Sequence, residues 1–175
     1  MKQIKKKKYI QFYYIWYGQK NVFFLKKAIE KNFFKSKCFY WIDAGFIRKK
    51  EIIKDLNGWP SEKRCIEDER VLINSIRKKK MTNEELKILK NLNSNNILFN
   101  KFMSEPNVGG GFFGGQPNYL LKFIKLYEET IKLFIKNSIF IGKDQNLFAY
   151  IAYLHQDLVK IIYSGDWHYF FFYLK

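Results

Sequence analysis

Gly109-Gly110-Gly111-Phe112-Phe113-Gly114-Gly115 is the stretch on which the reading of this chain turns. Five glycines flank two phenylalanines. Glycine has no Cβ, so it serves positive-φ positions or lets a ligand or another backbone approach the main chain. Two readings stay open. In one, Gly109–Gly115 is backbone that contacts a ligand. In the other, it is a glycine-rich turn supporting a bulge, with Phe112 and Phe113 in the core. The segment is not a phosphate P-loop, because it lacks the Gly-Lys-Ser/Thr ending. Nor is it a GxGxxG dinucleotide turn, because no ribose-binding acid follows at the expected distance.

On the carboxyl side, Pro117 suits the first turn of a helix. That helix is expected over roughly Asn118–Lys136, with Leu120, Leu121, Ile124, Tyr127, Ile131, Phe134 and Ile135 as apolar positions. Asp144–Leu154 reads as a further helix and Leu158–Tyr163 as a strand. The aromatic end, Asp166–Lys175, should pack on the body. On the amino side, Thr82-Asn83-Glu84-Glu85 is a capping box that should start a helix to about Leu92, and Asn91–Asn96 reads as a polar loop. The pattern does not decide helix against strand over Glu62–Ile76. Trp59-Pro60 marks a break. Cys38–Ile42 reads as a short strand stopped at Asp43-Ala44-Gly45, Lys20–Lys31 as a helix facing inward with Phe24, Leu25, Ala28 and Ile29, and Tyr9–Tyr17 as a buried strand. Strands alternating with helices imply an α/β layer architecture.

Composition sets the outer bounds. A chain of 175 residues, 47% hydrophobic and 19% aromatic, can bury a core and suits one domain. The formal net charge of +16 points toward an anionic partner: nucleic acid, a membrane surface or a phosphorylated ligand. Nearly all of that charge is lysine, the arginines being Arg48, Arg64, Arg70 and Arg77. Arginine is the side chain that forks onto phosphate and guanine, so its scarcity weighs against specific nucleic-acid recognition. Lysine, asparagine, isoleucine, phenylalanine and tyrosine are also what AT-rich coding produces. Cys38 and Cys65 form no CxxC pair and have no histidine at metal-site spacing. A disulfide scaffold is therefore not expected, and a reducing, cytoplasmic compartment is the default. No apolar run is long enough to span a bilayer. The start Met1-Lys2-Gln3-Ile4-Lys5-Lys6-Lys7-Lys8 offers peripheral membrane contact through its lysines.

Three features could carry chemistry. Asp43 ends a buried strand, where α/β folds place ligands and a carboxylate can hold a divalent ion; capping its own turn is the plainer alternative. Asp144-Gln145 opens a helix, either with Asp144 as N-cap or with a carboxylate and amide presented to sugar hydroxyls. His155 and His168 read as structural, and no Ser-His-Asp or Cys-His set is recognisable.

Taken in order, several segments resemble the HtrL/YibB family, grouped with WlaTC/HtrL-type glycosyltransferases. They are Ile15-Trp16, Lys20, Ala28-Ile29 with Asn32-Phe33-Phe34, Phe39 through Arg48, Trp59-Pro60, Gly110 through Gly115, Gly142-Lys143-Asp144-Gln145, and Trp167 to Tyr173-Leu174. The resemblance implies a GT-A-like nucleotide-diphospho-sugar transferase fold. It would comprise residues 1–175 as a single domain lacking part of the N-terminal nucleotide-binding half. A second likeness is to blood-group-type retaining transferases, which carry a similar glycine–phenylalanine stretch after a metal-binding Asp-x-Asp.

On this comparison Asp43 takes the first aspartate position and Gly45 the second. Asp43 would then hold Mn2+ or Mg2+. Lys20 and Arg48 would meet the donor diphosphate, Gly110, Gly111, Phe112, Phe113, Gly114 and Gly115 would wall the sugar pocket, and Asp144 and Gln145 would act as the catalytic pair. Gln145 stands where the blood-group-type enzymes have a carboxylate, which does not support a covalent nucleophile.

The implied activity is transfer of a sugar from a nucleotide-sugar donor to a glycan or lipid-linked acceptor. The alternatives are a non-catalytic, truncated binding protein of the same ancestry and a basic nucleic-acid binder.

Overall fold

A computed structural model of the chain describes residues 20–43, 54, 59–105 and 107–175. The expected strand at Tyr9–Tyr17, the N-terminal lysines, Gly45 and Arg48 lie outside these residues. In chain order the elements are α1 (20–31), β1 (Phe39–Ile42), α2 (Glu62–Glu67), β2 (Val71–Ser75), α3 (Asn83–Lys90), α4 (Ile97–Ser104), β3 (Val108–Gly115), α5 (Pro117–Lys136), α6 (Asp144–Leu154), β4 (Val159–Tyr163) and α7 (Tyr169–Tyr173). The undecided stretch Glu62–Ile76 resolves into one helix and one strand, and α4 is a helix that the polar loop before it concealed.

The glycine-rich stretch is neither loop nor turn. It is the strand β3, buried along its whole length. The sheet runs β1-β3-β2-β4. β3 is antiparallel to both neighbours, and β2 is parallel to β4. β1, β2 and β4 therefore point the same way, and their carboxyl ends share one edge of the sheet with the amino end of β3.

Side-chain alternation sorts the strands into two apolar layers. Phe39, Trp41, Val71, Ile73, Phe113 and Val159 face the larger layer, built from α1, α3, α4, α5 and α6. Tyr40, Ile42, Leu72, Phe112 and Ile162 face a smaller one, closed by Phe170, Phe171 and Leu174. Phe113 packs on Phe148 at a centroid distance of 4.7 Å, while Phe112 packs on Phe170 at 4.4 Å. Both rings are fully buried, so the expectation that Phe112 and Phe113 wall a sugar pocket is corrected: they are core on opposite faces.

The helices form where periodicity and caps direct them. On α5 the buried stripe is Leu120, Phe123, Ile124, Tyr127, Ile131 and Phe134, while Leu121 and Ile135 are exposed. Pro117 stands in its first turn, where a missing N–H costs nothing. The capping box at α3 is present in full, with Thr82 accepting from the Glu85 N–H and Glu85 accepting from the Thr82 N–H. α1 turns Val22, Leu25 and Ile29 inward and leaves Phe24 and Ala28 outside, against the expected face.

The two glycines at the end of β3 answer to packing. A Cβ on Gly114 would overlap the Tyr40 ring and the Phe39 carbonyl, with the Tyr40 Cα at 2.8 Å. Gly115 has φ +153° and lies 3.0 Å from the Arg70 carbonyl by the same construction. Neither is free to wall a ligand pocket. Cys38 and Cys65 are joined by a disulfide with Cα atoms 6.3 Å apart, tying the start of β1 to α2. The expectation against a disulfide is thereby corrected, because folding brings together two cysteines 27 positions apart.

Gly114→Ala should lower stability by about 1–3 kcal/mol, the usual cost of overpacking. Gly109→Ala, whose added Cβ would meet the Trp167 ring at an ordinary 3.6 Å, should stay within about 0.5 kcal/mol of the parent. Urea midpoints decide this, and equal losses in the two variants would refute the packing account. Protein purified without reductant and then denatured should show no thiol to a chromogenic thiol reagent; two reactive thiols would contradict the pairing.

Candidate functional site

The register between β2 and β3 breaks within the glycines. Ile73 pairs with Phe113 and Ser75 with Val108, so two steps along β2 are matched by five along β3. The three surplus residues form a bulge, and an odd number inverts the facing of the residues before it. Gly109 consequently looks toward Trp167, on the α7 side. Gly110 looks toward α6, where an added Cβ would sit 2.6 Å from Gln145 Cγ and 3.5 Å from Asp144 Oδ1. The first residues of α6 thus rest against bare main chain.

Asp43 arrives at the same place from the other side. Its N–H donates to the Gly111 carbonyl at 2.9 Å, continuing the β1–β3 ladder by one residue. It shares the facing of Trp41, and the Trp41 indole N–H donates to Asp43 Oδ1 at 2.7 Å. That bond engages an exposed carboxylate whose charge is felt by Asp144 at the amino end of α6.

Asp144 is the other carboxylate. Lys143, not Asp144, is the N-cap of α6, so the N-cap reading of Asp144 is corrected. Asp144 Oδ1 accepts from the Gln145 N–H at 2.8 Å, and Oδ2 accepts from Asn21 Nδ2 at 2.7 Å. Asn21 is itself buried, and its Oδ1 takes the Val22 N–H at 2.8 Å. Burial pushes the Asp144 carboxyl above the ordinary carboxylate range, and the Asp43 charge adds to the rise. The Gln145 N–H and the Asn21 amide oppose it. Tyr127, buried beneath, is pushed up by its own burial and then by Asp144.

The structure therefore brings together Asp43, Gly110, Gly111, Asp144 and Gln145 of the expected site. Lys20 adjoins Asn21 at the start of α1, at the same end of the sheet. Phe112, Phe113, Gly114 and Gly115 lie deeper along β3 and serve the core. Sequence reasoning missed Asn21 and the orienting indole of Trp41. The i, i+2 spacing of Trp41 and Asp43 on one strand was a usable signal for the indole. No local signal pointed from Asn21 to a residue 123 positions away.

A second polar set fixes the same sheet edge. Buried Asn74 donates from Nδ2 to the Asp166 carbonyl at 2.6 Å and accepts from Ser164 Oγ at 2.9 Å, which holds Trp167 beside Gly109. His155 closes α6 as its C-cap, and its carbonyl takes the Leu158 and Val159 N–H groups, in keeping with a structural role.

Two carboxylates, two amides and bare peptide groups at the carboxyl ends of parallel strands make a site rich in oxygen acceptors. Its ligands would be hydroxyls or a hard divalent cation. Among the described residues, no group of three or more histidine, cysteine, aspartate or glutamate side chains converges to hold a metal. Likewise no helix among them is long and apolar enough to cross a membrane.

The family model described as "Bacterial protein of unknown function (HtrL_YibB)" matches residues 1–175. The chain belongs to the HtrL/YibB family. Protein HtrL of Escherichia coli (strain K12) is 23% identical over 164 residues, which is 94% of this chain and 53% of that relative. The chain thus spans about half the length of the curated HtrL/YibB relative it matches. No solved structure matches the chain.

Titration of Asp144 tests whether the two carboxylates share a site. Its carboxyl carbon resonance should titrate at lower pH in Asp43→Asn, which removes a repelling charge, and at higher pH in Asn21→Ala, which removes a stabilising N–H. A raised folded pKa means that ionising Asp144 opposes the fold. Its contribution to stability should fall as pH rises from the unfolded-state pKa through the raised folded pKa. An Asp144 titration unmoved by Asp43→Asn would separate the two groups.

Proposed function

We propose that this HtrL/YibB chain carries the sugar-binding part of a nucleotide-sugar-dependent glycosyltransferase with a GT-A-like fold. The observation that carries the reading is the convergence of Asp43, the Gly109, Gly110 and Gly111 bulge and Asp144-Gln145 at one edge, where three parallel strands end. Three segments distant in sequence meet there.

The geometry suits hydroxyl recognition. Asp43, fixed by the Trp41 indole, offers acceptor oxygens to the donor sugar or to a cation carrying its diphosphate. Mn2+ or Mg2+ would supply charge neutralisation of the departing diphosphate. Asp43 is the described carboxylate placed to hold it, and Gly45 occupies the position of a second aspartate. Lys20 supplies positive charge at the same end. Asp144, drawn toward its protonated form, can donate to a hydroxyl or accept from one. Gln145 is an amide and no nucleophile, so it contributes hydrogen bonds and not a covalent intermediate. Bare peptide groups at Gly110 and Gly111 allow close approach.

The acceptor in this reading is a glycan or a lipid-linked sugar.

Calorimetric titration with a panel of nucleoside-diphosphate sugars, with and without manganese, tests the proposal. The parent should bind at least one donor. Asp43→Asn and Asp144→Asn should weaken that binding or slow turnover by about 10–100-fold while remaining folded, the loss expected for a charge-assisted hydrogen bond. Donor binding without turnover would leave a non-catalytic binding protein. Variants that bind and react like the parent would exclude this site.

A further inference from the structure

α1 and the turn after it expose four phenylalanines within twelve residues. Phe23 is 53% exposed, Phe24 55%, Phe33 78% and Phe34 92%. A helix face turned to water is ordinarily polar. Here the outward face of α1 carries Phe23, Phe24, Lys27, Ala28 and Lys31. Phe33 and Phe34 then stand at the tip of a tight turn whose flanking residues, Asn32 and Lys35, both have positive φ (34° and 52°). The Asn32 side chain closes that turn by accepting from the Ser36 N–H at 2.7 Å and donating to the Ser36 carbonyl at 3.1 Å. The two rings are therefore held outward by a hydrogen-bonded turn.

Charge surrounds them. Residues 20–37 contain six lysines, at 20, 26, 27, 31, 35 and 37, against one acid, Glu30. Glu30 is engaged by Lys27 at 2.7 Å. The Lys31 ammonium lies 5.6 Å from the Phe33 ring centroid and that of Lys27 6.0 Å from Phe23, so cations and apolar rings interleave.

We propose that this face, led by Phe33 and Phe34, docks on an anionic lipid bilayer. Phenylalanine rings enter the headgroup–acyl boundary while lysines meet the lipid phosphates, the two-part pattern of interfacial binding. The same charge argues against a second copy of the chain, because a two-fold contact would set like charges against like. It also argues for a bilayer over a nucleic acid. The leading rings, Phe33 and Phe34, crown a turn, whereas strand-binding proteins stack bases along a groove. The inference is independent of the sugar-transfer reading, since its leading residues, Phe33 and Phe34, lie beyond the opposite end of α1 from Asn21.

The full chain is sedimented with sucrose-loaded vesicles of phosphatidylcholine alone or with about 30% phosphatidylglycerol, enough to make the surface anionic. Binding should be at least about tenfold stronger to the anionic vesicles and should weaken as salt is raised. Phe33→Ser/Phe34→Ser, at two exposed positions, should remain folded by circular dichroism and lose binding by about tenfold or more, given the apolar area withdrawn from lipid. Lys31→Glu/Lys35→Glu should lose it comparably. No binding, or binding unchanged by Phe33→Ser/Phe34→Ser, would overturn the proposal, since attachment through other lysines would ignore the rings. A concentration-dependent dimer abolished by the same variant, or binding of single-stranded oligothymidylate abolished by it, with vesicles ignored, would assign the face to another partner.

Discussion

A strand buried on both faces and paired on both edges leaves room for little beyond its own backbone. β3 is that strand, and its glycines set how closely everything else can approach. At Gly114 the neighbouring strand comes within a distance that no side chain would allow; at Gly115 the chain entering β2 comes close and φ is +153°. At the other end the constraint turns into the site. Three surplus residues are absorbed between the Ile73 and Ser75 pairings, the facing inverts, and Gly110 presents bare backbone to Gln145 and Asp144. A side chain at that position would run into the Gln145 side chain, which would have to shift. Phe112 and Phe113 anchor the strand in the two apolar layers, and that anchorage fixes the position of the bulge.

Much of this could be read in the chain, for reasons that are local. α5 and α6 follow from apolar spacing, α3 from a capping box, and the placing of Asp43 from a short apolar run that stops at a turn. β3 could not be read as a strand, because glycine has the weakest claim to extended structure and no side chain to reveal a facing. Its conformation is imposed by β1 and β2, which is a tertiary fact. α4 was hidden for another reason. Its cap, Asn96, accepts from the Leu98 and Phe99 N–H groups but comes after Asn91, Asn93, Ser94 and Asn95, any of which could have capped a helix. The inward face of α1 was misplaced because Phe24 and Ala28 satisfy helical spacing as well as Val22 does. Long-range pairings, Cys38 with Cys65 and Asn21 with Asp144, left no periodic trace at all.

The site's electrostatics run against those of the whole. A chain with a formal charge of +16 has two carboxylates at the edge where three parallel strands end. Distant lysines raise the local concentration of an anionic ligand without touching it. Close to the site, burial and the neighbouring Asp43 both disfavour a charged Asp144, and two N–H donors only partly offset them. The balance leaves the carboxyl above its ordinary range while both of its oxygens accept from N–H donors.

α1 joins the two unusual surfaces. Its first turn supplies Asn21 to Asp144, and its last turn leads into the Phe33–Phe34 tip. Ten residues of helix between Asn21 and Lys31 rise about 15 Å. Val22, Leu25 and Ile29 pack inward along that length, so the helix is seated on the larger apolar layer and cannot tilt independently of the site. A bilayer engaged by the phenylalanines would thus lie at a set height from the carboxylates. An acceptor anchored in that bilayer would need a polar head long enough to span the height, whereas a freely soluble one would gain nothing from the contact. With the two proposals taken together, coupling through one packed helix would tie the choice of acceptor to the lipid surface.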